Sequence, residues 1–118
     1  MAADNKRPTI IDFVNTYASK YADSTFLREK VDGVWTETSF SATRERGRRL
    51  AAGFMAMGLG KGDKVALISE GRNEWIFCEL GILHAGAVNV PLSFKLESDQ
   101  YLLFRINHSD SRFVIASE

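Results

Sequence analysis

Lys64-Val65-Ala66-Leu67-Ile68-Ser69 is an unbroken apolar run with a charged residue before it and a small polar one after. A strand with one wet face alternates in polarity. A run without alternation is read as a strand covered on both faces, as in a parallel sheet flanked by helices. Downstream, Asn73 opens a segment running through Gly86 that is apolar nearly all round, with Trp75-Ile76-Phe77-Cys78 at its start, which predicts a buried helix capped by Asn73. Ala87 to Leu92 predicts a second strand, ended by Pro91, Glu97 to Asn107 a further helix, and Arg112 to Ala116 a third strand. Strand, helix, strand, helix, strand with short joints implies right-handed crossovers and a parallel sheet, so the fold class is α/β with a βαβαβ core.

Upstream the pattern changes. Thr25 to Val31 and Val34 to Ser39 flank Asp32-Gly33, and two β-rich runs joined by that dipeptide predict a hairpin, because both residues tolerate positive φ. Thr9 is placed to cap a first helix, with Asp12 near its positive end and Ile10, Val14, Tyr17 and Tyr21 as its buried stripe. Ser41 is read as the cap of a second helix whose inner face carries Thr43, Gly47, Leu50, Phe54 and Met57, with Gly58 as its stop. No repeat, low-complexity tract or linker divides the chain. The whole of residues 1–118 reads as one portion of a larger domain, because the last strand ends at Ser117-Glu118, where the ligand-binding loop of such a sheet begins.

Composition narrows the function classes. The chain has 118 residues, 45% hydrophobic and 25% charged, in the range of an ordinary globular protein. Fifteen Lys and Arg balance fifteen Asp and Glu, so no long-range pull toward nucleic acid is expected. Cys78 is the single cysteine, which excludes an internal disulfide and points to a reducing, cytoplasmic setting. The apolar stretch around Trp75 to Val90 is broken by Glu79, His84 and Asn89 and is too polar to span a bilayer; association with a membrane surface stays open.

No constellation of catalytic residues emerges from the residues themselves. Gly58-Leu59-Gly60-Lys61-Gly62-Asp63 follows a helix and precedes a strand, the reverse of a phosphate-cradling fingerprint, and Lys61 is followed by Gly62 rather than Ser or Thr. It reads as a helix stop and turn. Arg44, Arg46, Arg48 and Arg49 with Glu45 read as a solvated helix face, His84 as a core or interface histidine, and Cys78 as buried filler. Glu70, Glu74 and Glu79 show no metal spacing.

A resemblance adds to this. Gly60-Lys61-Gly62-Asp63-Lys64-Val65-Ala66-Leu67-Ile68-Ser69 followed by Asn73-Glu74-Trp75, then Leu80-Gly81-Ile82-Leu83-His84-Ala85-Gly86-Ala87-Val88-Asn89-Val90-Pro91-Leu92, resembles the start of the acyl-adenylating, AMP-forming superfamily. Thr38-Ser39-Phe40-Ser41 with Leu50-Ala51-Ala52-Gly53 resembles its first core motif, though Thr43 and Arg44 stand where an acidic residue and leucine are common. Val31-Asp32-Gly33-Val34-Trp35 resembles the long-chain fatty acyl-CoA ligase branch. The similarity runs from about Thr9 to Glu118. It implies the N-terminal portion of an enzyme that uses ATP, Mg²⁺ and coenzyme A to activate a carboxylic acid, here a fatty acid, first as an acyl-adenylate and then as a thioester. Aryl-CoA ligases and peptide-synthetase adenylation domains are the alternatives within that superfamily, and a stand-alone α/β binding module the alternative outside it.

The superfamily's catalytic residues lie in later motifs, so the chain by itself is expected to be inactive, with no catalytic or metal residue to assign. Self-association of the isolated chain is also expected to be open to it, through unpaired strand edges. One carry-over is specific. In Phe104-Arg105-Ile106-Asn107, Arg105 matches an arginine that approaches the nucleotide of coenzyme A in the acetyl-CoA synthetase branch, while Lys95-Leu96 replace the glycine pair that accompanies it there. Taken without the resemblance, Arg105 is a surface arginine.

Overall fold

The computed structural model describes residues 7–95 and 98–117. Along the chain run α1 (Ile10–Lys20), β1 (Thr25–Val31), β2 (Val34–Ser39), α2 (Phe40–Ala56), β3 (Lys64–Ile68), α3 (Asn73–His84), β4 (Val88–Leu92), α4 (Asp99–His108) and β5 (Ser111–Ala116). The last three strands form a parallel sheet in the order β4-β3-β5, and β1 and β2 form a separate antiparallel ribbon. The α/β class and the appended hairpin expected from the sequence are both present.

Local chemistry explains where each element begins. Thr9 and Asp12 close a reciprocal box: the Asp12 amide donates to Thr9 Oγ1 at 3.1 Å, and the Thr9 amide donates to the Asp12 carboxylate at 2.8 Å. Asp32 at φ 50° and Gly33 at φ 81° turn the hairpin, with Val31 paired to Val34. The second helix is capped by Ser39, not Ser41: Ser39 Oγ accepts from the Ala42 amide at 3.1 Å. Ser41 is drawn away by a tertiary partner, its hydroxyl and amide both donating to the Ala22 carbonyl, at 2.9 and 3.1 Å.

Asn73 is likewise not a cap but the first helical residue, since extended Arg72 holds the N-cap position and makes no side-chain capping bond. The predicted helix through Gly86 stops at His84, because Gly86 takes φ 76° and turns the chain out. Pro91 lies inside β4, opposite Leu67, rather than ending it. An edge strand tolerates the missing amide. The predicted start of the last helix, Glu97, lies outside the described residues, as do Leu96 and Glu118; the helix is described from Asp99.

The core is the seam where α2 and α3 cover one face of the sheet. Val65, Ala66 and Leu67 are fully buried, as their unbroken apolar run predicts. Ala51, Leu59, Ile82, Ala85 and Ala87 join Val65 in the buried cluster, with Phe54, Phe113 and Ile115 packed against it. Two glycines set the helix spacing. A Cβ on Gly47 would sit 2.9 Å from Leu80 Cβ, and one on Gly81 would sit 2.8 Å from Leu50 Cβ and 3.3 Å from the Ala51 amide nitrogen. Met57, expected on the inner face, is 69% exposed because it is the C-cap where the chain leaves the helix.

The stripe expected to be buried on α1 is largely open: Ile10, Tyr17 and Tyr21 are exposed, and Val14 is half-buried. The helix docks instead through Ala18, which is 1% exposed. A small residue brings the two helix backbones close, whereas the rings of the stripe stand off the seam. Ile10, Val14 and Tyr17 line a groove of about 170 Å³ with Phe13, Phe26, Phe40 and Thr43. Phe13, Tyr17 and Tyr21 stack at centroid spacings of 6.4 and 6.1 Å, and Phe40 continues the row from Tyr21 to Phe26.

Candidate functional site

In a sheet ordered β4-β3-β5, the chain leaves β3 toward β4 on one side, and β5 lies on the other. The strand order therefore reverses between β3 and β5, and the crevice beyond their carboxyl ends is where such folds bind ligands. A crevice of about 220 Å³ lies there, lined among others by Leu67, Ser69, Arg72, Trp75, Cys78 and Ile115. Its floor is apolar, from the two strands and α3; its rim is polar, from the loop between β3 and α3. The first turn of α3 opens at this rim without a side-chain cap.

Glu74 and Ser117 also line the crevice, and its Ser69 hydroxyl donates to the Glu70 carbonyl at 2.8 Å rather than to a base. The Cys78 thiol is pushed up from its ordinary range by burial and by the nearby Glu74 carboxylate, so it stays protonated and poorly nucleophilic. Among the described residues no group of three or more His, Cys, Asp or Glu could hold a metal ion. Mg²⁺ prefers octahedral oxygen donors, and the donor set gathered here does not supply them.

The glycine-rich loop lies at the opposite, amino-terminal edge of the sheet, and it is a structural turn. Gly58 adopts φ 102°, the Leu59 amide donates to the Phe54 carbonyl at 3.0 Å, and the Gly58 amide donates to the Met55 carbonyl at 3.0 Å. These close α2 with a Schellman motif. Asp63 then ties the loop together. Its Oδ2 accepts from the Gly60 amide at 2.8 Å and from Arg112 Nη1 at 2.8 Å, and the same Nη1 donates to the Gly58 carbonyl at 2.9 Å. The Gly60 amide and the Arg112 guanidinium hold the Asp63 carboxyl below its ordinary value.

The arginine run also has internal partners. Arg46 lies over the Phe77 ring at 5.4 Å, Arg48 donates to Asn15 Oδ1 at 3.3 Å, and Arg49 pairs with Glu45 at 3.0 Å. The face is solvated as expected, but two of its arginines also link α2 to α3 and to α1. His84 lies at the α2–α3 seam, an interface histidine as read from the sequence. Arg105 is exposed on α4, away from the crevice lining.

The sequence profile described as "AMP-binding enzyme" matches residues 14–118. The chain belongs to the AMP-binding enzyme family. Among its relatives, the crotonobetaine/carnitine–CoA ligase of Salmonella typhimurium is 31% identical over all of this chain and 22% of its own length. The 4-hydroxybutyrate–CoA ligase 2 of Metallosphaera sedula is 40% identical over 58% of this chain and 12% of its own length. A long-chain-fatty-acid–CoA ligase of Mycobacterium bovis is 34% identical over 66% of this chain and 13% of its own length. The N-terminal subdomain of Klebsiella oxytoca NpsA superposes with a TM-score of 0.84 at 22% identity, covering 93% of this chain and 28% of that one. A fatty acid AMP ligase of Legionella pneumophila gives 0.84 at 18% identity, covering 98% and 21%. At those identities the superpositions establish the fold.

This member of the AMP-binding family thus spans from about an eighth to about a fifth of the length of these relatives, 12–22%. Among the described residues no helix is long and apolar enough to cross a membrane. The feature that sequence reasoning missed is the Asp63–Arg112 clamp, since no local pattern joins residues 49 positions apart. The one available signal was an aspartate closing a glycine-rich turn.

Proposed function

We propose that this chain is the N-terminal part of the large domain of an ATP-dependent acyl-CoA ligase, with fatty acids as its substrate class. The observation carrying this reading is the family match over residues 14–118, on a βαβαβ unit with a crevice at the carboxyl edge of its sheet. The hairpin Val31-Asp32-Gly33-Val34-Trp35 and the fatty-acid ligase relative support the substrate class. In the parent, the substrate carboxylate attacks the α-phosphate of ATP, releasing pyrophosphate, and the thiol of coenzyme A then displaces AMP.

The chain's own contribution is the packed α2–α3 seam, which holds the sheet edge in place beneath the crevice. ATP and Mg²⁺ supply phosphate chemistry in the parent, and the donors for them lie elsewhere, so no step is assigned to residues here. Arg105, exposed on α4, is the one cation proposed to face a ligand, the nucleotide of coenzyme A. Its guanidinium suits a phosphate.

A second reading has its own support: the carnitine-type relative matches across the whole chain, whereas two fatty-acid relatives match 66% and 80% of it. That favours a small polar carboxylate. Acyl-dependent ATP–pyrophosphate exchange tests both readings. This chain alone should show none; exchange by it would overturn the scaffold assignment. The enzyme encoded by the uninterrupted reading frame should exchange with medium- and long-chain fatty acids. Exchange confined to crotonobetaine-like or hydroxylated short acids would move the assignment to the second reading. A stop codon directly after Glu118 would leave a stand-alone binding module.

A further inference from the structure

We infer that the seam between α2 and α3 is an acid-sensitive joint, loosened when the imidazole of His84 takes up a proton. This rests on the packing of the chain itself and is independent of which carboxylic acid the parent activates. His84 is the last residue of α3, and its ring lies against the backbone notch left by Gly47 on α2. A Cβ at Gly47 would stand 3.4 Å from His84 Cδ2 and 3.7 Å from Nε2. Nε2 is buried and has no hydrogen-bond partner among the described residues.

A neutral imidazole tolerates this place. With its proton on Nδ1, it turns only a lone pair into the seam. The protonated ring must instead bury an N–H donor without an acceptor, and a charged donor left unpaired is the expensive case.

The surrounding charges add to that cost. Those acting on the ring are the guanidinium groups of Arg48 and Arg44, both on α2. Arg48 is engaged with Asn15 of α1 at 3.3 Å, which restrains it from swinging clear. Among the described residues, no carboxylate of the neighbouring elements, which carry Glu45 on α2, Asp12 on α1 and Glu29 on β1, figures among the charges acting on the ring. On its own helix Glu79 accepts from Asn89, and Glu74 acts on Cys78. On β1, Arg28 pairs with Glu37 of β2, while β3 offers only Lys64 and β4 has no titratable side chain.

Burial first, and then the two arginines, hold the His84 pKa below its ordinary 6.5. The sign follows. In the window below 6.5 the unfolded chain binds more protons than the folded one, so this contribution to stability is complete above that value and is lost as pH falls through the lowered one. What opens is the contact that buries Ala51, Leu80, Gly81 and Ile82.

The test is thermal unfolding of the 118-residue chain across about pH 8 to 5, beside His84→Gln, which keeps a polar side chain but does not titrate. The wild type should lose roughly 5 °C of Tm more than the variant on acidification. Identical pH slopes would overturn the proposal. Should His84→Gln fail to fold, NMR titration of the His84 ring in the wild type decides. A midpoint below 6.5 that rises in Arg44→Gln/Arg48→Gln upholds the joint, and a midpoint at or above 6.5 removes it.

Discussion

Gly47 and Gly81 face the neighbouring helix at distances that leave no room for a methyl group, and the two sites differ in what a methyl would strike. At Gly47 the obstacle is Leu80 Cβ at 2.9 Å; at Gly81 it is Leu50 Cβ at 2.8 Å, with Phe54 Cε2 at 3.0 Å and the backbone nitrogen of Ala51 at 3.3 Å. Backbone cannot step aside as a side-chain tip can. Gly47→Ala and Gly81→Ala should each destabilise by about 1–3 kcal/mol, with Gly81→Ala the worse of the two. Gly53, on the same helix as Gly47 with nothing within 4 Å, is the control: Gly53→Ala should stabilise by about 0.5–1 kcal/mol. Urea unfolding of the three variants checks the order. Asp63 supplies a second test. Its carboxyl is held low by the Gly60 amide and by Arg112, so its contribution is present above 3.8 and lost as pH falls through the lowered value. Asp63→Asn should therefore flatten acid unfolding below that pH, as followed by circular dichroism. The turn itself was legible from Gly58 to Asp63; the guanidinium that completes it was not, because Arg112 arrives on β5, 49 positions later in the chain.

At the scale of elements, the ends of α2 and α3 are set by one device used twice. Gly58 and Gly86 take φ 102° and 76°, and each is followed by an amide that reaches back to the last helical turn: Leu59 to Phe54, Ala87 to Ile82. Gly58→Ala and Gly86→Ala should each cost about 1–2 kcal/mol, because left-handed backbone penalises a Cβ. Thermal melts against the exposed Gly53→Ala control isolate that cost. The Gly58 stop, the apolar run at Val65 and the Asp32-Gly33 turn were readable because their physics is local, whereas the helix expected to run through Gly86 ends at His84. The first helix shows where such reading stops. Periodicity put Ile10, Val14, Tyr17 and Tyr21 on one face, but it cannot say which face a neighbour covers, and Ala18 is the residue that docks. The cap of the second helix failed for a related reason: Ser39 and Ser41 are chemically equal candidates until the Ala22 carbonyl claims one of them. At the crevice, the topology was legible and the lining was not, since Trp75 and Ile115 meet only once the crossovers close.

For the whole molecule, the order β4-β3-β5 leaves β4 and β5 each paired on one side only among the described residues. Pro91 blunts the β4 edge by removing a donor, while β5 bears exposed Val114 and no proline. The isolated chain should therefore self-associate as its concentration rises, and Val114→Lys should reduce that association, measured by sedimentation velocity. The central strand carries a further consequence. β3 takes one neighbour from residues 88–92 and the other from residues 111–116, on either side of it. Pairings this distant in sequence are slow to close, because the intervening chain must give up its freedom before the contact returns anything. On a ribosome adding about 5–20 residues each second, β3 would wait for seconds with one flank bare. That interval, rather than the finished sheet, is when an emerging chain of this kind has most need of a chaperone.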